Sequence, residues 1–442
     1  MNLNRLIPVA AAIALIPTLG LAQETAAVVA ELEVAPAVNN AFIFNTLLFL
    51  ISGFLVFWMA AGFAMLEAGL VRSKNVTMQL TKNIALFSIA AIMYWLVGYN
   101  LMYPGDGWSI AGWLGAFGFA SLGGDPAIEQ GYATGSDFFF QLMFCATTAS
   151  IVSGTLAERI KLWPFLIFTV VLTGFIYPIE ASWQWGGGWL SELGFSDFAG
   201  STLVHATGGF AALTGAIILG ARIGKFGKDG KVHPIPGSNL ALATLGTFIL
   251  WLGWFGFNGG SQLALGTEAD ANAVAIIFAN TNMAAAAGAV TSLVLSQVMF
   301  KKPDLTMTLN GALAGLVSIT AGPLDPSLFG ALWIGAIGGV IVIIVVPMLD
   351  RMKIDDVVGA IPVHLVAGFW GTLAVPFYTS GTSFINQIIG FVSIGVFVSA
   401  VSAAVWLILK ATMGLRVDEE TEINGLDMAE MGMEAYPEFS KG

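Results

Sequence analysis

The chain consists mainly of long apolar segments separated by short polar connections. There are eleven such segments, and most are close to the roughly 20 residues that a helix needs to cross a bilayer. They lie at about residues 42–70, 83–102, 137–156, 162–180, 198–220, 239–258, 272–299, 305–322, 328–349, 357–376 and 384–409. Hydrophobic residues make up 57% of the 442 positions and charged residues only 10%, which excludes an ordinary soluble domain. The pattern predicts an all-α polytopic membrane protein with eleven transmembrane helices.

Positively charged residues follow the odd-numbered segments. Arg72 and Lys74 follow the first segment, and Arg159 and Lys161 follow the third. The connections on the other side, such as 106–130 and 259–272, carry acids but neither Lys nor Arg. Because Lys and Arg are retained on the cytoplasmic side, the N-terminus is predicted outside and the C-terminus in the cytoplasm. An odd number of crossings agrees with this orientation.

One motif occurs twice, as Asp197-x7-His205 at the fifth segment and Asp356-x7-His364 at the tenth. Segments five apart cross in opposite directions, which predicts two inverted five-helix repeats followed by one extra C-terminal helix. Eight residues along a helix span about 12 Å. Each histidine is therefore expected near the bilayer midplane, reached from opposite sides, where the two rings can meet. Matched depth favours a functional site over hydrogen bonds that only join neighbouring helices.

The ends of the chain differ from the membrane region. Residues 1–22 are typical of a cleaved signal peptide, with Arg5, an apolar stretch and Ala22 before the cleavage point; an uncleaved first span is the alternative. Residues 23–40 are then a periplasmic N-terminal segment, 41–410 the membrane domain and 411–442 an acidic, cytoplasmic regulatory tail. A cleaved signal and this orientation indicate the inner membrane of a bacterium. Cys145 is the single cysteine, so no intrachain disulfide is possible.

Aromatic and hydroxyl side chains gather at the outer side of three segments. Phe140 and Phe144 lie four residues apart on one face of the third, Trp183 and Trp185 end the fourth, and the sixth ends with an aromatic run that reaches Ser261. Ring faces next to a hydroxyl can bind a small cation. The alternatives are core packing and an interfacial aromatic belt. Near the other end of the first segment, Glu67 is interpreted as a structural carboxylate rather than a transport group.

Further motifs are AMLEAGLVRSKN at 64–75, LAERI at 156–160, WGGG at 185–188, GWFGFN at 253–258 and DFAG at 197–200. Together with the two Asp–His motifs, they resemble the ammonium transporter family (the Amt/Mep/Rh group), in particular its bacterial Amt branch. The resemblance covers about residues 40–436. The chain departs from the family pattern at three positions. The family usually has another acid at the position of Gly359 and a glycine at the position of Leu365, and the third departure is Pro362. These departures leave open how the tenth helix begins and how the ring of His364 is packed.

The resemblance implies a homotrimer with one pore in each subunit and assigns roles to eight residues. By this resemblance, the outer ammonium site consists of Phe140, Trp185 and Ser261, and Asp197 is the acid that supports it. The stacked aromatic gate consists of Phe144 and Phe257. The twin histidines of the pore are His205 and His364. It also implies a PII-type nitrogen-regulatory protein as a partner at the cytoplasmic face. No metal or other cofactor and no nucleic acid is expected, and lipid surrounds the protein.

The expected function is ammonium transport, with methylammonium as an analogue substrate. Ammonium would bind outside and lose a proton, and ammonia would then pass the histidines, with or without separate proton transfer. An ammonium sensor that transports little is one alternative. The other is a membrane metalloenzyme with His205, His364 and Asp197 as ligands, which mixed His and carboxylate ligation allows. The chain lacks the His-Glu-x-x-His signature that would favour such an enzyme.

Overall fold

The computed structural model describes residues 40–122 and 131–438. The predicted signal peptide, residues 1–22, lies outside the described residues, and so does nearly all of the predicted periplasmic segment 23–40. Within the described ranges the protein is all-α, apart from isolated single β-bridges.

Eleven apolar helices follow one another at the predicted places. They are α1 Asn40–Leu70, α2 Ser73–Met102, α3 Thr134–Thr155, α4 Leu162–Ser182, α5 Ser201–Leu219, α6 Leu240–Gly260, α7 Glu268–Phe300, α8 Leu305–Ile319, α9 Leu328–Arg351, α10 Ile361–Phe377 and α11 Phe384–Thr412. In the described part of the chain, nine of them are long and apolar enough to cross a membrane, and α8 and α10 are shorter. The prediction of an all-α polytopic membrane protein is confirmed.

Three of the boundaries that differ from the prediction have a clear local reason. Helix α2 begins at Ser73, ten residues earlier than expected, because Gln79 and Lys82 are buried helical residues rather than part of a loop. Helix α8 is 15 residues long, because Thr320 and the turns after it replace the expected last helical residues. Helix α10 begins about four residues later than expected, since residues 357–359 are not helical.

The two motif-bearing helices, α5 and α10, begin in the same way. The carboxylate of Asp197 accepts hydrogen bonds from the backbone N–H groups of residues 200–203, at 2.7–2.9 Å. The carboxylate of Asp356 accepts from the N–H groups of Gly359 and Ile361, at 3.2 and 2.7 Å. These acids satisfy donors that a helix start leaves unpaired. Each histidine lies in a π-helical turn directly after its cap, which agrees with two matched halves.

The departure at Gly359 follows from this matched geometry. Gly359 stands three residues after its aspartate, as Gly200 does after Asp197, and both have a positive φ, +80° and +107°. This conformation suits glycine and is strained for residues with a Cβ. The departure at Leu365 is accommodated by Gly209 of α5, where an added Cβ would lie 2.7 Å from the Cβ of Leu365.

Helices α7, α8 and α9 pack with their backbones in close contact. A Cβ added to Gly288 of α7 would lie 2.2 Å from the carbonyl oxygen of Gly311 in α8. A Cβ added to Gly339 of α9 would lie 2.4 Å from the carbonyl oxygen of Gly288. Only residues without a side chain allow this approach, which is the usual role of glycine between membrane helices.

An ion network joins four loops at the end of the bundle where α1, α3, α5 and α9 finish. Arg222 contacts Asp355 through Nε at 2.8 Å and Nη2 at 2.9 Å, and its Nη1 lies 3.0 Å from Glu158. Arg72 reaches the same Glu158 at 2.8 Å. Burial alone would raise the pKa of Asp355 and of Glu158, but the charges and hydrogen bonds of the arginines hold both below their usual values.

The polar tail is packed against this same end of the bundle. Leu415, Val417 and Leu426 of the tail are buried, whereas Ile423 and Met428 are exposed. The tail backbone pairs with the loop after α3: the N–H of Lys161 donates to the carbonyl of Leu415 at 2.9 Å.

Candidate functional site

The rings of His205 and His364 meet inside the bundle. Their Nδ1 atoms are 3.2 Å apart, and the ring centroids are separated by 5.2 Å with 25° between the ring planes. A hydrogen bond between two Nδ1 atoms requires one to donate and the other to accept. The pair therefore contains two complementary tautomers when both rings are neutral.

The Nε2 atom of His205 is buried and has no hydrogen-bond partner in the described part of the protein. Since a buried polar atom without a partner is costly, a small molecule that donates or accepts a hydrogen bond there is favoured. Ammonia can do either.

Aromatic rings surround the histidines. Trp254 of α6 stacks on His205 at 4.8 Å, Phe257 lies 5.3 Å from the same ring, and Phe63 of α1 lies 6.1 Å from His364. The indole N–H of Trp254 donates to Thr320 Oγ1 at 2.8 Å, which fixes the orientation of the ring. The histidines therefore lie in largely apolar surroundings, where a neutral solute is tolerated better than an ion.

A stacked pair of phenylalanines lies beside His205. Phe144 of α3 and Phe257 of α6 stack with their centroids 4.0 Å apart and 25° between planes. Both side chains are buried, and Phe257 also contacts His205. The structure thus brings together the two residues that resemble the family gate.

The three residues that resemble the outer site lie on the far side of this gate. Phe140 contacts Phe144 edge-on at 4.8 Å, and Trp185 contacts Phe144 at 6.0 Å. Ser261 donates to the carbonyl oxygen of Phe257 at 2.8 Å. Trp185 and Ser261 are only partly buried. The three residues therefore form a cluster of two aromatic rings and a hydroxyl beside the phenylalanine pair, and such groups suit a small cation.

Asp197 contributes to this cluster through its backbone. Its carboxylate is fully occupied by the start of α5, while its carbonyl oxygen accepts the indole N–H of Trp185 at 2.8 Å. Trp183, two residues before Trp185, makes a different contact: its indole N–H donates to the carbonyl of Trp113 at 2.9 Å.

Sequence reasoning missed the contact of Trp254 with His205. The signal was present: Trp254 and Phe257 are three residues apart on α6 and share one helix face. Trp254 was grouped with the outer aromatic residues because its distance along the helix was not used to place it.

A model of the Ammonium Transporter Family matches residues 47–436. The chain belongs to the ammonium transporter family. It is similar to the ammonium transporter Amt2 of Archaeoglobus fulgidus, with 43% identity over 88% of this chain and 87% of the relative. Among solved structures it resembles a sensor Amt protein, with 36% identity, a TM-score of 0.84 and coverage of 89% of this chain and 99% of the other. It also resembles Mep2 of Candida albicans, with 27% identity, a TM-score of 0.78 and coverage of 89% and 90%.

Proposed function

We propose that the protein transports ammonium by binding the cation at Phe140, Trp185 and Ser261, removing a proton near the Phe144–Phe257 pair and conducting ammonia past His205 and His364. The observation that carries the proposal is the buried histidine pair, with Nδ1 atoms 3.2 Å apart, directly behind a stacked aromatic pair. This arrangement offers hydrogen bonds without a fixed charge.

The proposal accounts for selectivity against potassium. An intact monovalent cation that enters an apolar passage loses its hydration, which costs far more than moving a neutral molecule of similar size. Ammonium can avoid this cost by releasing a proton, and potassium cannot. The same passage then accepts ammonium and rejects potassium because only ammonium can release a proton, and the size of the ion does not decide.

The direct experiment is labelled methylammonium uptake into proteoliposomes that contain the purified protein. We expect saturable uptake that excess ammonium competes away and excess potassium does not. Liposomes without protein supply the background, because methylamine also crosses lipid unaided. Uptake equal to that background would reject the transport proposal.

A sensor with little transport is the second candidate, since one structure that the chain resembles at a TM-score of 0.84 is a sensor Amt protein. The uptake assay separates the two functions. A metalloenzyme is not favoured: within the described residues no three His, Cys, Asp or Glu side chains are grouped as metal ligands. The carboxylate of Asp197 is also committed to backbone donors.

Trp185 provides a test of the outer site. Cation–π attraction of about 0.5–2 kcal/mol predicts that Trp185→Leu weakens the apparent affinity for ammonium roughly two- to thirtyfold. The half-saturation concentration of uptake measures this. Trp163→Leu is the matched control, because Trp163 lies on α4 and is 66% exposed on the outside of the bundle. An unchanged half-saturation in Trp185→Leu would remove this residue from the site.

We further propose a homotrimer in a bacterial inner membrane, with the N-terminus outside and the tail in the cytoplasm, where a PII-type protein binds. The tail contacts support a regulatory role for residues 411–442. The carboxylate of Asp427 accepts the backbone N–H groups of Thr77 and Met78 at 2.9 and 2.8 Å, and Leu426 N–H donates to Asn75 at 2.9 Å. The tail thus holds the first turns of α2.

Truncation after Thr412 tests this role. We expect the truncated protein to keep its membrane fold but to lose control by the cognate PII protein, because the segment that holds the start of α2 is gone. Flux is measured with and without PII protein. If the truncated protein conducts normally and PII protein still blocks it, the tail has no part in regulation.

A further inference from the structure

On the side of His364 away from the aromatic gate lies a small cavity. Its lining includes Phe63, Glu67, Ser150, Asn310 and His364. Its volume of about 10 Å³ is close to the least that holds one water molecule, and ammonia is similar to water in size. A molecule leaving the histidines enters a space in which Glu67 is the one acid of the lining.

Helix α1 places this acid one turn beyond the pore histidines. Phe63 contacts the ring of His364, and Glu67 follows four residues later, about 6 Å further along the helix. The cavity is therefore lined both by a pore residue and by a carboxyl group.

The Glu67 carboxyl is held by one of its two oxygens. Its Oε2 accepts from Asn83 Nδ2 at 2.7 Å, from Ser153 Oγ at 3.0 Å and from Gln79 Nε2. Its Oε1 accepts no hydrogen bond in the described part of the protein. Three donors on one oxygen fix the group and stabilise its ionised form, while the other oxygen is left for a ligand.

A buried lysine balances the charge. Lys82 of α2 is 1% exposed, its Nζ donates to the carbonyl of Ser153 at 2.9 Å and lies 4.8 Å from the ring of Phe165. Ser153 thus bonds to both groups, Glu67 through its hydroxyl and Lys82 through its carbonyl. The other titratable groups that face this pair are His364 across the cavity and Arg159, which acts on Lys82 from the loop after α3.

We propose that Glu67 is the group that returns a proton to ammonia at the inner end of the pore. This inference rests on the proposed function. The nitrogen lone pair of ammonia forms a new N–H bond as the Oε1–H bond of the protonated carboxyl breaks, which yields ammonium and a Glu67 carboxylate. The three donors and Lys82 stabilise that carboxylate until a proton from water at the cytoplasmic face restores the acid. Ammonium then leaves as a charged ion that does not re-enter the apolar passage.

The test is methylammonium uptake into right-side-out membrane vesicles at a series of inner pH values, with vesicles lacking the protein as background. Wild-type uptake is expected to fall as the inner pH rises, because fewer Glu67 carboxyls are protonated. Glu67→Gln keeps the size and polarity of the side chain but has no proton to give. Glu67→Gln should lower the rate of methylammonium uptake by about tenfold or more, which is a modest share of what a positioned acid contributes. It should also abolish the dependence of that rate on inner pH. The half-saturation concentration on the outer side should stay the same.

Controls separate this role from a structural one. Glu192→Gln removes an exposed acid outside the cavity and should behave as wild type. A Glu67→Gln protein that transports at the wild-type rate, or that is slow but keeps the wild-type dependence on inner pH, overturns the proposal. If Glu67→Gln does not fold, Glu67→Asp is tested in its place. Its shorter side chain moves the carboxyl and should shift the dependence of the uptake rate on inner pH, and an unshifted dependence overturns the proposal. Wild-type vesicles without uptake would instead reject the transport function itself.

Discussion

Replacing His364 with alanine is expected to reduce ammonium transport at least tenfold or to admit potassium. A polar molecule in an apolar passage loses hydrogen bonds with water, at a cost of about 2–7 kcal/mol when nothing replaces them. The histidine pair replaces them, and 1.4 kcal/mol corresponds to a factor of ten. His364→Ala removes the partner of His205 Nδ1 and enlarges the passage beside Phe63. His205→Ala should act in the same direction, because it removes the other half of the pair.

The chain supplies a matched control for both variants. His233, the third histidine, lies exposed in the loop after α5, with its Nδ1 2.9 Å from the carbonyl oxygen of Gly224. His233→Ala should leave uptake and potassium exclusion unchanged. Uptake of labelled methylammonium and competition by potassium are measured on all three variants. Wild-type rate and selectivity in His364→Ala would mean that the pair is not on the transport path.

The meeting of the two histidines could be predicted because it depends on few quantities. The Asp-x7-His spacing fixes how far each histidine lies from the cap of its helix, and the odd number of segments between the copies fixes opposite directions. Both are properties of the chain that no side-chain rotation changes. The 3.2 Å separation of the Nδ1 atoms agrees with that reasoning.

The environment of Glu67 could not be predicted in this way. The hydrophobic pattern begins the second segment at residue 83 and so predicts a loop for Gln79 and Lys82. They are helical because Glu67 and Ser153 satisfy them from two other helices. Such mutual satisfaction depends on which helices are neighbours, and hydrophobic pattern does not contain that information.

The ion network at the ends of α1, α3, α5 and α9 predicts the largest effect on stability. In Asp355→Ala, Arg222 loses the partner of its Nε, Nη2 and backbone N–H groups, at 2.8–2.9 Å. The Arg222 side chain is 3% exposed, so its charge stays buried, and Glu158 is its remaining ion-pair partner among the described residues. Breaking a buried pair by removing one partner costs about 3–5 kcal/mol. We expect a clear loss in the free energy of unfolding, measured in detergent with a denaturant.

Two further measurements test the cause of that loss: the free energy of unfolding at several pH values, and a variant that breaks an exposed ion pair. Because Arg222 holds the pKa of Asp355 below its usual value, the network stabilises the wild-type protein at neutral pH and is lost only as the pH falls through that lowered pKa. The difference between wild type and Asp355→Ala should therefore be constant near neutrality and shrink in acid. The control is Asp229→Ala, which breaks the exposed pair with Lys231 at 3.1 Å and should leave stability unchanged because water replaces the contact. Equal losses in the two variants would show that burial of Arg222 does not set the cost.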